Sequence, residues 1–427
     1  DLAVEEDMAG IVTLYDIDKE AAHKNVLIGN AYESNFTYET KATLSEALQG
    51  ANFVVISILP GTFDEMESDV HLPEKYGIYQ SVGDTTGPGG ILRALRTLPM
   101  YVEIANAIKE NAPDAWVINY TNPMSACVRI LYEVFPQIKA FGCCHEVFGT
   151  QELLAYMVQN EFGIEKVQRD AIKVNVQGVN HFTWLNEASY DGHDLMPVYA
   201  KYAKQFVQEG IQLSSEKNWL NNHFACANCV KFDLFNRFGV IAAAGDRHLA
   251  EFCPGWYLKN PQTANSYKFS LTPVSWRKDN LVKLLAESER KSSGAEKVKI
   301  KTSGEDGVRQ MKALLGLGAF ITNVNLPNYG QIDNLEDGTV VETNAVFSQN
   351  SVKPVCAGAM DENVLQLTLP HVYLQKQVVK ACMEHSVEPA FKAFAVNPLV
   401  TLPMRDARKL FDEMLDNTKE YLENYHL

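Results

Sequence analysis

Ile11-Val12-Thr13-Leu14-Tyr15, running straight into Asp16-Ile17-Asp18, is the stretch on which the fold class turns. A continuous apolar-rich run of this length reads as a strand buried on both faces of a parallel sheet. Three more such runs follow. They are Phe53 to Leu59, stopped by Pro60-Gly61-Thr62, then Trp116 to Asn119, and Ile138 to Cys143. Helical stretches separate them. One polar stretch follows Asp18, and Ser45 is expected to cap a short helix holding Ala47 and Leu48. A long helix is expected over Ile91 to Glu110, and Pro123 opens another at its first turn. Thr37 to Thr43 alternates weakly as a strand. Strands alternating with helices at this spacing imply βαβ units and a parallel sheet. Ligands bind at the carboxyl ends of such strands. Asp16, Gly61, Asn119 to Asn122 and Cys144 to Glu146 all follow strand ends, so they should gather along one edge.

From about Phe148 the character changes. Ala171 to Gly178 and Phe182 to Glu187 read as strands of a second sheet, and Gly316 to Val324 and Thr339 to Phe347 as further strands. Helices are expected at Pro197 to Gln208, Asn218 to Phe238, Asn363 to His385 and Arg405 to Tyr425. The polar segment Glu287 to Asp306 is the expected mobile loop. There is no internal repeat. The division is therefore 1–146, a nucleotide-binding domain, and 147–427, a domain for metal, substrate and oligomerisation.

Composition narrows the function. With 427 residues, 46% hydrophobic and 21% charged, the chain is an ordinary globular protein with room for two domains. A formal charge of −15 argues against nucleic-acid binding, which needs clustered Lys and Arg. No run of about 18 apolar residues suggests a membrane span. Eight irregularly spaced cysteines in so long a chain suggest reduced thiols in a cytoplasm rather than a disulfide framework. The chain opens on an acidic stretch, not a signal peptide. It lacks a starting Met and enters a strand almost at once, so an N-terminal piece is expected to be missing.

Several residues are chemically suggestive. Asp16 lies where a carboxylate accepts the adenosine ribose hydroxyls of NAD, although it reads equally as a turn residue. The glycine fingerprint that should precede it is absent. Thr85-Thr86-Gly87-Pro88-Gly89-Gly90 leads into a helix bearing Arg93 and Arg96. It reads either as a backbone approach to an anion or as a flexible turn. Asn122 suits a sugar hydroxyl, or a plain helix cap. Cys144, in Cys144-His145-Glu146, and His181, in Asn180-His181-Phe182, are a thiolate and an imidazole suited to a borderline-soft divalent metal. Read singly, each is equally a buried core residue. Gly245-Asp246-Arg247-His248, with Glu251, is the densest ionisable cluster.

Together these segments resemble glycoside hydrolase family 4, and within it the α-galacturonidases. The matching stretches are Ile11 to Asp18, Ser57 to Gly61, Gly83 to Gly90, Asn119 to Pro123, Cys144 to Val147 and Gly178 to Phe182, with a weaker likeness over Gly245 to Pro254. The resemblance implies a Rossmann-type NAD-binding domain followed by an α+β domain like that of lactate and malate dehydrogenases. It implies NAD and Mn2+ as cofactors, a small sugar glycoside as substrate, and a homodimer or homotetramer. It makes Cys144 and His181 the metal ligands. Asp16, Asp18, Ser57, Gly61 and Asn119 become the cofactor contacts, and Asn122, Asn180 and Arg247 the substrate contacts.

The implied reaction takes a hydride from sugar C3 and then a proton from C2. It eliminates the leaving group, adds water and returns the hydride. The family stands outside the two-carboxylate glycosidase scheme. His145 is expected as the acid and His248 or Asp246 as the base. Phospho-sugar members carry an Arg after Gly61, where this chain has the acidic Thr62 to Glu67. Arg247 is therefore expected to hold a uronate carboxylate instead. The alternatives are another family 4 glycosidase, a hydroxy-acid dehydrogenase on the same fold, and a sensor without turnover.

Overall fold

The structure, a computed structural model, describes residues 1–214 and 216–426. Strand β1 (Gly10–Leu14) is followed by helix α1 (Lys19–Asn30) and strand β2 (Phe36–Thr40), which pairs with β1 in parallel. Asp18 caps α1 by accepting the Ala21 amide at 3.0 Å. Gly29 lies so close under Tyr38 that a Cβ would come within 2.5 Å of the ring. Helix α2 (Leu44–Leu48) is capped by Thr43 rather than Ser45. Thr43 is extended and sits three residues before Glu46, so the two close a reciprocal capping box. Then come β3 (Phe53–Ile56), α3 (Phe63–His71), α4 (Gly87–Asn111), β4 (Trp116–Asn119), α5 (Met124–Val134) and β5 (Lys139–Gly142).

Helix α6 (Glu146–Phe162) leads into a hairpin of β6 (Lys173–Val179) and β7 (Phe182–Tyr190), extended by β8 (His193–Asp194). Helices α7 (Met196–Phe206) and α8 (Cys229–Phe238) precede β9 (Ile241–Ala242), which pairs with β7. Helices α9 (Asp246–Phe252), α10 (Pro261–Ser266), α11 (Val274–Ser292) and α12 (Gly307–Leu314) follow. The chain then forms β10 (Phe320–Pro327), β11 (Val340–Ser348) and β12 (Ser351–Pro354), and ends in α13 (Glu362–Met383), α14 (Glu388–Ala395) and α15 (Met404–Asp416).

The result is a mixed α/β fold with a Rossmann-like parallel sheet and a C-terminal part. The principal sheet has the order β12-β11-β10-β5-β4-β3. Strands β3, β4 and β5 are parallel, whereas β10 to β12 join antiparallel through the Asn325–Gly142 pair. The sheet thus continues past the end of β5 into strands from the second half of the chain. Its largest core cluster likewise draws on α4, α5, α13, α14 and α15.

Some expectations fail, each for a physical reason. Strand β1 is not buried on both faces: Ile11 is 67% exposed, because among the described residues β1 pairs only with β2, in a two-stranded sheet apart from the principal one. Strand β3 likewise ends its sheet, leaving Val55 exposed. The expected helix over Asn218 to Phe238 begins only at Cys229. Before it, the side chains of Asn218 and Asn222 accept the amides of Leu220 and Phe224 and close turns instead. The expected loop over Glu287 to Asp306 starts inside α11, where Glu287 pairs with Lys291 one turn on. Residues 293–306 form no helix or strand. The last expected helix stops at Asp416. No helix among the described residues is long and apolar enough to cross a membrane.

The axis of the core is α4, whose Ile91, Leu92, Leu95 and Leu98 are fully buried. On the same helix Arg96 is buried against Asp69 of α3, at 2.5 and 3.1 Å, with Thr418 also accepting at 3.1 Å. Removing one partner of such a pair leaves an uncompensated charge. Asp69→Ala should therefore destabilise the protein by about 3–5 kcal/mol in denaturant unfolding. A change below 1 kcal/mol would show that water reaches Arg96.

Candidate active site

Three segments meet beyond the carboxyl ends of β3, β4 and β5. Asp84 lies just before α4, His181 in the β6–β7 turn and His248 in the first turn of α9. One ligand atom from each lies within 4.8 Å of the others. The imidazoles of His181 and His248 are 3.8 Å apart between ring centroids. His181 has φ +65°, a left-handed conformation that few non-glycine residues adopt, and this turns its ring inward from the hairpin.

Hydrogen bonds fix the protonation state of His181. The Thr85 hydroxyl donates to Asp84 Oδ1 at 2.7 Å and lies 2.9 Å from His181 Nδ1. Having given its only proton to Asp84, Thr85 must accept from Nδ1–H. Nε2 is therefore the bare nitrogen, with its lone pair free for a ligand. Burial, reinforced by repulsion from His248, pushes the His181 pKa down to about 3, so the ring is neutral. Burial would raise Asp84, but His181, His248 and Arg93 outweigh it and hold the carboxyl well below its usual range. Glu146 behaves alike. Burial opposes ionisation, yet His248, His181 and the Gly245 amide hold it at about 2. A neutral imidazole beside an ionised carboxylate is a donor set suited to a divalent ion.

Cys144 is buried and stands outside this triad, although it neighbours Glu146 and Asn180. Burial, with the charges of Glu342 and Glu146, pushes its thiol well up. A bound metal ion would reverse that by taking the thiolate. Four polar atoms around the cluster are buried without a partner: Asn122 Oδ1, Asn180 Oδ1, His248 Nδ1 and Glu251 Oε2. Buried polar atoms are nearly always paired, so such a group marks a place where a ligand completes the bonding.

Other expected residues do different work. Asp246 turns away and accepts the amides of Val230 and Lys231, each at 3.1 Å, which anchors the start of α8. Arg247 is buried with Nη2 on Ser81 O at 2.6 Å and on the Thr272 hydroxyl, and with Nε on Ser270 O at 3.3 Å. His145 is largely exposed and pairs with Glu305 at 2.7 Å, which raises its pKa. Asn119 is buried and closes its own turn with the backbone of Thr121. Asp18 is the α1 cap. Asp16 and Ser57 stay exposed at the ends of β1 and β3, and Gly61 has φ +79° in the turn after β3. The glycines before Arg93 serve packing. A Cβ on Gly90 would lie 2.4 Å from the Thr85 backbone, and the Gly89 and Gly90 amides are already bonded to Gln80 and Thr86.

Comparison with known proteins shows the family. The model for "Family 4 glycosyl hydrolase" matches residues 1–160, and that for the "Family 4 glycosyl hydrolase C-terminal domain" matches 176–400. The chain belongs to the family 4 glycosyl hydrolases. It is 59% identical to the alpha-galacturonidase of Thermoanaerobacterium saccharolyticum, over 100% of this chain and 93% of that protein. A solved Bacillus subtilis structure described as a glucosidase superposes with a TM-score of 0.94 at 51% identity, covering 97% of this chain and 95% of that one. A 6-phospho-alpha-glucosidase from gut microorganisms, solved in complex with NAD and Mn2+, shares the fold. Its TM-score is 0.78 at 20% identity, with 97% and 92% covered.

For this family 4 glycosyl hydrolase, sequence reading overlooked Asp84 and Glu146 as site groups, although both stand inside quoted motifs. It also overlooked Glu342, which lies far along the chain in β11. Asn323 donates to Glu342 Oε1 at 2.6 Å and Asn180 to Oε2 at 3.2 Å. Burial pushes the Glu342 pKa up to about 7 from an ordinary 4.5. A folded-state pKa above the unfolded one gives stability that is complete below about pH 4.5 and is lost as pH rises through 7. Relative to Glu342→Gln, the wild type should therefore lose on the order of 3 kcal/mol between pH 4.5 and 8, at about 1.4 kcal/mol per unit. Parallel urea-melt profiles for the two proteins would contradict a neutral Glu342 at low pH.

Proposed function

We propose that this glycosyl hydrolase cleaves α-galacturonides, with NAD and a divalent ion such as Mn2+ as its cofactors. The observation that carries the reading is the 59% identity to an alpha-galacturonidase along the whole chain. The coordination-ready Asp84, Thr85 and His181 chain supports it. When bound, NAD supplies reversible hydride transfer and the metal ion supplies Lewis acidity toward sugar oxygens. His181, Asp84 and Cys144 would hold the ion. Asp16 and Ser57, exposed at the ends of β1 and β3, would hold the dinucleotide.

The remaining groups divide the work on the sugar. Asn122 Oδ1 and Asn180 Oδ1, buried and unpartnered, accept sugar hydroxyls and orient the ring. His248 has a free Nδ1, and its Nε2 lies 3.7 Å from Glu146 Oε1. An imidazole backed by an ionised carboxylate can take a proton and stabilise the cation it becomes, which suits His248 as the base. Asp246, facing α8, is not placed for that task. His145 keeps its proton more firmly because of Glu305 and so suits the acid that serves the leaving oxygen. A thiol needed at Cys144 requires a reducing compartment, which favours the cytoplasm.

The test is a panel of aryl α-glycosides: galacturonide, glucuronide, galactoside and 6-phosphoglucoside. The galacturonide should be cleaved fastest, only with NAD, Mn2+ and a reductant, with solvent deuterium entering C2. Faster release from a neutral or phosphorylated sugar would overturn the assignment. Thr85→Val removes the acceptor that sets the His181 tautomer. It should weaken Mn2+ binding about 10- to 100-fold in an EPR titration, independently of turnover. Unchanged affinity would remove His181 from the metal site.

A further inference from the structure

Four guanidiniums lie near the cluster, and they differ in what they touch. Arg96 spends both terminal nitrogens on Asp69 and Thr418, leaving only its buried Nε unpartnered. Arg247 is filled by two carbonyls and a hydroxyl. Arg93, on α4, uses only Nε, which donates to Asn122 O at 3.0 Å. Arg277, in the first turn of α11, has no hydrogen bond or ion pair among the described residues. Its guanidinium lies 5.5 Å from the centroid of the Phe224 ring, and Arg247 lies 5.2 Å from the same centroid. The shared Phe224 ring sets Arg277 near Arg247, the neighbour of His248, and the charges of Asp84, Arg93 and Glu251 act on it. The adjacent Lys278 is neutralised by Asp64 and Glu67 of α3, whereas Arg277 is not.

We infer that Arg277 and Arg93 form the anion-recognising end of the sugar pocket and take the C6 carboxylate of the substrate. This rests on the galacturonidase reading. A partly buried cation with no ion pair of its own is unfavourable, and two such cations near each other are more so. Burial already lowers the Arg277 pKa against the pull of Asp84. An incoming carboxylate offsets both charges and accepts two parallel N–H bonds from a guanidinium. Arg247, the expected residue, cannot do this without abandoning Ser81, Thr272 and Ser270. Asn122 couples the two ends of the pocket. Its carbonyl holds Arg93, its amide nitrogen lies 3.5 Å from Asp84 Oδ2, and its Oδ1 is free.

The experiment compares wild type, Arg277→Ala, Arg277→Lys and Arg93→Ala, each loaded with NAD and Mn2+. It measures kcat/KM on aryl α-galacturonide and aryl α-galactoside, and calorimetric binding of free galacturonate. The wild-type preference for the galacturonide should fall about 100-fold in Arg277→Ala, chiefly through KM. Arg277→Lys should recover part of it, and Arg93→Ala should show a smaller loss. Galacturonate affinity should fall in parallel, which serves as the readout where turnover is too slow to measure. A preference and an affinity left intact in Arg277→Ala would overturn the assignment while the galacturonidase reading stands. A wild type that turns over the galactoside and neither cleaves the galacturonide nor binds galacturonate would sink that reading, and this inference with it.

Discussion

The carboxyl group of Glu342 ties together the pieces from which the site is assembled. It lies in β11 of the principal sheet, fully buried, and receives one amide from Asn323 of β10 and one from Asn180 at the β6–β7 turn. Asn323 also donates to the carbonyl of Cys144 at 3.1 Å. One carboxyl thus connects the residue that follows β5, the antiparallel extension of the sheet and the hairpin that presents His181. A buried polar network of this kind is favourable only when its members are satisfied, and it then permits few alternative arrangements. The antiparallel strands β10 and β11, which look peripheral in sequence, are what bring the second half of the chain to the ends of the parallel strands.

From that junction the chemistry follows from few protons. Thr85 has one hydroxyl proton, and its donation to Asp84 determines which nitrogen of His181 is bare. Burial keeps both His181 and the Cys144 thiol uncharged until a cation is present, while Asp84 and Glu146 stay ionised. The site is thereby poised for a divalent ion and not for a proton. The fold alone would not say this, since the same sheet hosts many reactions. What separates a glycosidase from a hydroxy-acid dehydrogenase here is the ligand set and the unpartnered acceptors around it.

Much of this was legible in the sequence, within a clear physical limit. Short apolar runs and the residues after them mark strand ends, so β3, β4, β5 and the edge bearing Asn122 and Cys144 could be read from pattern alone, whereas His181 entered through its ligand chemistry and the family resemblance. What pattern cannot convey is which way a side chain faces and what fills it. Asp246 and Arg247 adjoin His248 in sequence, yet Asp246 holds α8 and Arg247 holds the Ser81 and Ser270 carbonyls. Glu342 and Arg277 lie in no motif, and their relevance comes from contacts distant in sequence, with Asn180 and Phe224. Local competition accounts for the errors in secondary structure. Asn218 and Asn222 bond their own neighbours' amides, and Thr43 outcompetes Ser45 because only Thr43 has a glutamate three residues on.

The two halves of the pocket also constrain each other. Asp84 stands with His181 and His248 in the donor cluster, and its charge also acts on the guanidiniums of Arg93 and Arg277. If a divalent ion takes up the charge of Asp84, that carboxylate no longer balances the two arginines, and their need for another anion grows. A neutral sugar cannot meet it. A sugar carrying a carboxylate can. On the proposed reading, metal loading and uronate selectivity would be two consequences of one shared charge, and the residue that links them would be Asp84.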